Sequence, residues 1–97
     1  MPTYALTDRF QRDLRSLTSD ERTAFRAAVQ KFVQDLRNGG RFRAGLRVKG
    51  IQGADGIFEM TWASNGRATF EYGEEQIEGE THVVWRRVGT HDIFGSP

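Results

Sequence analysis

The chain has 97 residues, 37% of them hydrophobic and 28% charged, enough for one packed core and too few residues for two. It contains no cysteine, so it offers neither a disulfide framework nor a thiolate nucleophile, and a reducing cytoplasm is the expected setting. No stretch approaches the ~20 apolar residues of a membrane span, and the N-terminal segment lacks a signal-peptide core, so no membrane partner is expected. The net charge of +1 conceals a split. Five of the 13 acidic residues fall between positions 71 and 80, which leaves the rest of the chain basic. Arg37, Arg41, Arg43, Arg47 and Lys49 crowd together with no acid among them. Such a run is either a solvated surface or a polyanion site, because Lys and Arg facing phosphates supply most sequence-independent affinity for nucleic acid.

In chain order, Thr7 is the expected N-cap of a first helix whose apolar residues Phe10, Leu14 and Leu17 recur at helical spacing. Thr18-Ser19-Asp20-Glu21 has the form of a capping box, in which two side chains each satisfy a backbone amide of a new helix. The second helix buries Phe25, Val29, Phe32, Val33 and Leu36 on one face and ends at Asn38-Gly39-Gly40, where glycine accepts the left-handed conformation. From Leu46 onward the period changes to two. Strands are predicted over residues 46–51, 57–62, 67–72 and about 81–88, with an acidic loop before the last. Asn65-Gly66 favours the positive φ angles of a tight hairpin turn between the middle two.

The alternation assigns faces. Phe58, Met60 and Trp62, with Ala68, Phe70 and Tyr72, should pack on the helices, leaving Glu59, Thr61, Arg67, Thr69 and Glu71 on the opposite side. The last strand is ambiguous, since Val83-Trp85 and Val84-Val88 both offer apolar pairs. The expected class is therefore α+β, a single domain over residues 1–97. Its two N-terminal helices lie on one face of a mainly antiparallel four-stranded sheet whose other face is open.

His82 and His91 are the only histidines, too far apart and too isolated for a zinc cage, and no Asp-x-Asp spacing suggests calcium. Neither a metal nor another cofactor is expected. The Gly50–Gly56 segment lacks the Lys-Ser/Thr of a phosphate loop and precedes a strand, so it reads as a turn. Arg67 has a bland role available, a surface ion pair with Glu59 or Glu71. His91 can exchange a proton near neutral pH, though a histidine past the last strand is more often an ordinary loop residue. Phe94 is either a clasp on the core or a platform for a base.

Two helices followed by this sheet, with Leu46-Arg47-Val48-Lys49, Gly56-Ile57-Phe58-Glu59 and Gly66-Arg67-Ala68-Thr69-Phe70 in order, resemble the RelE/ParE superfamily of toxins from bacterial toxin–antitoxin pairs. The most specific piece is Gly89-Thr90-His91-Asp92-Ile93-Phe94, similar to the Gly-Thr-His-x-x-x-Phe ending of the YafQ branch with one residue fewer before the Phe. Gly66-Arg67-x-x-Phe70 resembles the segment that supplies an arginine in RelE and YoeB relatives.

The resemblance implies cleavage of messenger RNA on the ribosome, with the RNA 2′-hydroxyl attacking its own 3′ phosphate. His91 is then the acid for the leaving oxygen, Arg67 the stabiliser of phosphorane charge, and Glu59, or second Lys49, the base. Phe94, Arg87, Arg47, Arg43 and Arg41 become the expected RNA-binding residues. The chain departs from the YafQ pattern in lacking further histidines on the sheet and in its five-glutamate segment. The partners implied are a cognate antitoxin protein, the ribosome and mRNA. Two rival readings are a ParE-like poison of DNA gyrase, which needs no catalytic histidine, and a non-catalytic module that binds nucleic acid or protein through residues 37–49.

Overall fold

Trp85 is the centre about which the core assembles. In the computed structural model, which describes residues 2–97, its rings lie 5.1–6.2 Å from those of Phe10, Phe25, Phe32 and Phe70. Tilted and edge-on aromatic pairs of this kind add about 0.5–1.5 kcal/mol each beyond the area they bury. The elements in chain order are strand β1 (Thr3–Leu6), helices α1 (Asp8–Ser16) and α2 (Ser19–Arg37), and strands β2 (Lys49–Gly50), β3 (Ile57–Ala63), β4 (Gly66–Gly73) and β5 (His82–Thr90), and the four ring partners come from α1, α2 and β4. Short helical turns occupy Ala44–Leu46 and His91–Gly95.

Both helix starts form as the sequence dictates. Thr7 Oγ1 accepts the amide of Phe10, and Thr18 and Glu21 close the reciprocal capping box. Residue Asn38 caps the end of α2, and Gly39 and Gly40 follow with φ of 107° and 79°. Phe10 of α1 and Phe25, Ala28 and Phe32 of α2 are buried against Met60, Ala68, Phe70, Val83, Trp85 and Val88 of the sheet.

The sheet has five strands, not four, in the order β1-β5-β4-β3-β2, with β1 parallel to β5 and the other pairs antiparallel. Residues Thr3–Leu6 are too few to show a period, and parallel pairing with a strand 79 positions later leaves no local turn signal. The strand expected over residues 46–51 shrinks to Lys49–Gly50. Leu46 is drawn into the core by the preceding turn, and Arg47 takes a left-handed φ of 49°, which no strand can include.

The β3–β4 hairpin also forms differently from the expected turn. Ala63 pairs with Gly66, so the loop is Ser64-Asn65, and neither Asn65 nor Gly66 has a positive φ. Gly66 is needed for space instead. A Cβ there would lie 2.5 Å from the Trp62 indole, which donates to the Arg67 carbonyl at 3.0 Å and packs edge-on against Phe25.

The two apolar pairs of β5 are reconciled by a register shift. Thr69 pairs with Arg87 and Phe70 with Trp85, so Arg86 is an extra, unpaired residue. Val83 and Trp85 before this bulge and Val88 after it all face the core. Tyr72, at the end of its strand, is 44% exposed rather than buried.

Gly66→Ala should cost about 1–3 kcal/mol of stability, because the pinned indole cannot retreat from the new methyl group. Urea unfolding of the two proteins checks this, and a change below measurement error would contradict the packing argument.

Candidate functional site

The face turned away from the helices carries the candidate groups in transverse rows. Lys49 pairs with Glu59, Glu59 with Thr69 and Thr69 with Arg87, so these four residues cross β2, β3, β4 and β5 in one line. Thr61, Arg67 and Gly89 form the next row toward the hairpin. Directly opposed side chains have Cβ atoms about 4.5–5.5 Å apart, so Lys49, Glu59 and Arg87, far apart in sequence, belong to one surface. Glu59 makes no ion pair or hydrogen bond among the described residues, which leaves its carboxylate available.

Arg67 does not form the ion pair with Glu59 or Glu71 that its position allows. Its Nη1 donates to the carbonyls of Gly66, Ala63 and Ser64 at 2.9–3.4 Å, so the guanidinium lies along the hairpin turn. Glu71 is taken by Arg86 at 3.0 Å. His91 leaves the sheet at the same end: Thr90 pairs with Gly66, the residue before Arg67. The His91 imidazole is exposed and meets the half-buried Phe94 ring edge-on at 5.0 Å. Phe94 is thus not the residue that clasps the tail, and that part is taken by its neighbour Ile93, 5% exposed.

Ile93 shows where the tail lies. Gly89 is the partner of Arg67, so a Cβ there points to the face opposite the helices, and it would come within 3.0 Å of Ile93. The face expected to be open is therefore partly covered by the C-terminal turn. Beyond that turn the chain returns along β5, and the carbonyls of Ser96 and Pro97 accept from Arg87 Nη1 at 3.0 Å and Arg86 Nε at 3.3 Å.

The basic run divides by partner. Arg43 is bound to Asp35, donating through its amide, Nε and Nη2 at 2.8–2.9 Å, and its Nη2 also reaches Gln34. These hydrogen bonds from the Arg43 side chain and amide hold the Asp35 carboxyl at about 2, below its ordinary 3.8. They also tie the segment after α2 back onto that helix, where Phe42 stacks on Phe32 at 4.8 Å. Arg41, Arg47 and Lys49 remain exposed. Arg87 is bidentate to Asp13 of α1 at 2.7 and 3.3 Å, with its Nη1 turned to the tail.

Sequence reasoning singled out neither Arg86 nor the state of Thr69. An Arg-Arg pair inside an alternating apolar strand was the available signal for the bulge. Nothing local marks Thr69, which is fully buried with an Oγ1 that has no hydrogen-bond partner among the described residues. No cluster of three or more His, Cys, Asp or Glu side chains suited to a metal ion occurs among the described residues.

No protein-family model matches the chain, and no curated protein sequence does. Solved structures do match in three dimensions. A point mutant of YafQ from E. coli superposes with a TM-score of 0.70 at 9% identity, covering 97% of this chain and 98% of that one. A chain of the E. coli DinJ–YafQ toxin–antitoxin complex gives 0.65 at 13% identity over 94% and 93% of the two chains. One from the RelB–RelE antitoxin–toxin complex of Methanococcus jannaschii gives 0.58 at 17% identity over 95% of each. The fold is accordingly that of the RelE and YafQ toxins, spanning nearly the whole chain.

The Asp35–Arg43 contact stabilises the folded state only while Asp35 is ionised. Because its folded pKa is depressed, the contribution is complete above pH ~4 and is lost as the pH falls toward ~2. Thermal melts across this range should show a steeper loss of stability in the wild type than in Asp35→Asn. Thr69→Val, which removes an unpaired buried hydroxyl and keeps the shape, should leave stability unchanged or raise it by about 1 kcal/mol in the same assay.

Proposed function

We propose that the chain is the toxin of a type II toxin–antitoxin pair and acts in the cytoplasm as a ribosome-dependent endonuclease on messenger RNA, using side chains alone. The 2′-hydroxyl oxygen attacks the adjacent phosphorus, the bond from phosphorus to the 5′ oxygen breaks, and a cyclic phosphate remains on the upstream fragment. A base must accept the 2′ proton, a cation must meet the charge gathering on the phosphate oxygens, and an acid must protonate the departing 5′ oxygen. Glu59 is the base, with Lys49 as the second candidate, Arg67 is the cation and His91 is the acid. Phe94 stacks on a base beside the cut, and Arg41, Arg43, Arg47 and Arg87 bind the RNA backbone.

The observation that carries this reading is the common origin of Arg67 and His91 at one end of one face of a toxin fold. Gly66, which precedes Arg67, is the strand partner of Thr90, which precedes His91. Glu59 and Lys49 lie on the same face in the adjoining row. Arg67 has to leave the turn carbonyls to grip a phosphate, and those contacts, partly exposed, are cheap to exchange for charge-assisted ones. An antitoxin partner is supported by the toxin–antitoxin complexes among the structural neighbours.

Expression of the chain should arrest growth, and His91→Ala should abolish the arrest with the fold intact by circular dichroism. Unchanged toxicity of that variant would replace the endonuclease by a gyrase poison. Arg67→Ala should slow cleavage of ribosome-bound mRNA by about 10²–10³-fold, the usual cost of losing one charge-stabilising group, while ribosome binding changes little. Glu59→Gln and Lys49→Met identify the base: its loss should cost about 10²–10⁴-fold, and the other substitution far less.

A further inference from the structure

We propose that a second anion site, built by Arg9, Arg86 and Arg87 beside the middle of β5, holds the phosphates of the RNA strand as it leaves the reacting centre. The three arginines line one cleft of about 480 Å³, which Thr7, Ile57 and the tail residue Pro97 complete. They reach it from two elements. Arg9 projects from the first turn of α1, which starts beside Arg86 because Thr7 donates to the Arg86 carbonyl at 2.9 Å. Consecutive strand residues ordinarily point to opposite faces, and the extra residue in β5 lets both Arg86 and Arg87 border the same cleft.

Its electrostatics favour an anion. Glu71 and Asp13 partly neutralise Arg86 and Arg87, while Arg9 has no ion pair or hydrogen bond among the described residues. The chemistry of its occupant is indicated by what already sits there. Two successive main-chain carbonyls, those of Ser96 and Pro97, accept from Arg87 Nη1 and Arg86 Nε. The guanidiniums thus already bind main-chain oxygens, and the phosphate oxygens of an RNA strand are stronger, charged acceptors for the same donors.

The path is continuous with the proposed centre. His91 is five residues along the chain from Arg86, roughly 16 Å at about 3.3 Å per residue, a span of a few nucleotides. Ser96-Pro97 follow the same line back along β5, so an RNA strand takes the place of these two residues while the turn that carries His91 and Phe94 stays. The ligand's identity as RNA rests on the endonuclease reading, whereas the cleft's preference for phosphates does not.

Binding of a fluorescent single-stranded RNA to the full chain tests this at several salt concentrations. Arg9→Gln and Arg86→Gln should each weaken binding about 3–10-fold and lower the magnitude of the salt slope by about 0.7, the value for one lost phosphate contact on a single strand. Arg12→Gln, on the same helix and outside the cleft, should stay within about twofold of wild type. Equal losses for Arg9→Gln and Arg12→Gln would reduce the site to general attraction, and an unchanged slope for both cleft variants would overturn it.

A poly-glutamate peptide competing as well as the RNA would reassign the cleft to an acidic protein and also overturn the proposal. Arg9 is exposed, so its variant folds even where loss of the Arg86–Glu71 pair harms the other. Cleavage of ribosome-bound mRNA separates the two ideas. RNA binding that depends on Arg9 in a chain that cuts no message removes the endonuclease and keeps the cleft, and cleavage with wild-type KM in Arg9→Gln removes the cleft and keeps the endonuclease.

Discussion

One extra residue in β5 governs the molecule. Strand side chains alternate strictly, so a regular β5 would send Val83, Trp85 and Arg87 to one face and Val84, Arg86 and Val88 to the other. Either choice buries an arginine or exposes a valine. The shift between Thr69 and Phe70 resolves the conflict by leaving Arg86 unpaired. Trp85 and Val88 then both reach the core, 5% and 1% exposed, and both arginines stay out of it.

The consequences spread to both sides of the sheet. On the helix side, Trp85 takes contacts from α1, α2 and β4 and so fixes where the helices sit. On the other side, Arg87 joins the row containing Lys49, Glu59 and Thr69 and reaches Asp13, a carboxylate that also accepts the Val88 amide. The ion pair thus holds α1 against the strand that carries the row. Because Arg86 and Arg87 also bind the returning tail, the position of His91 and Phe94 depends on the same irregularity.

The covered face has an energetic logic. Buried hydroxyls are normally satisfied, and that of Thr69, on the strand contacted by the tail turn, has no partner among the described residues. Its main apolar anchor is Ile93, which packs on the strand rather than in the central core. A segment held by one aliphatic side chain and a few partly exposed hydrogen bonds opens at lower free energy than the sheet beneath it. That difference lets the tail leave this face without unfolding the sheet.

Much of this was legible in the residues. Helix starts, the glycine stop after α2, the β3–β4 pairing and the face carrying Glu59, Arg67 and Thr69 follow from capping chemistry and period-two alternation, which act over a few residues. The motifs at Gly66-Arg67 and Gly89–Phe94 were enough to suggest the toxin fold. What tertiary structure decided is everything set by distant partners. The parallel β1 strand exists because β5 offers an edge, Arg47 breaks β2 because Leu46 is wanted in the core, and Arg43 pairs with Asp35. Arg67 turns to its own hairpin instead of a carboxylate, and the tail folds back because two arginines meet its carbonyls. Local pattern determines which way a side chain faces, and only the assembled chain determines which of several charged neighbours it reaches, because those neighbours are brought close by the folding of segments far apart in sequence.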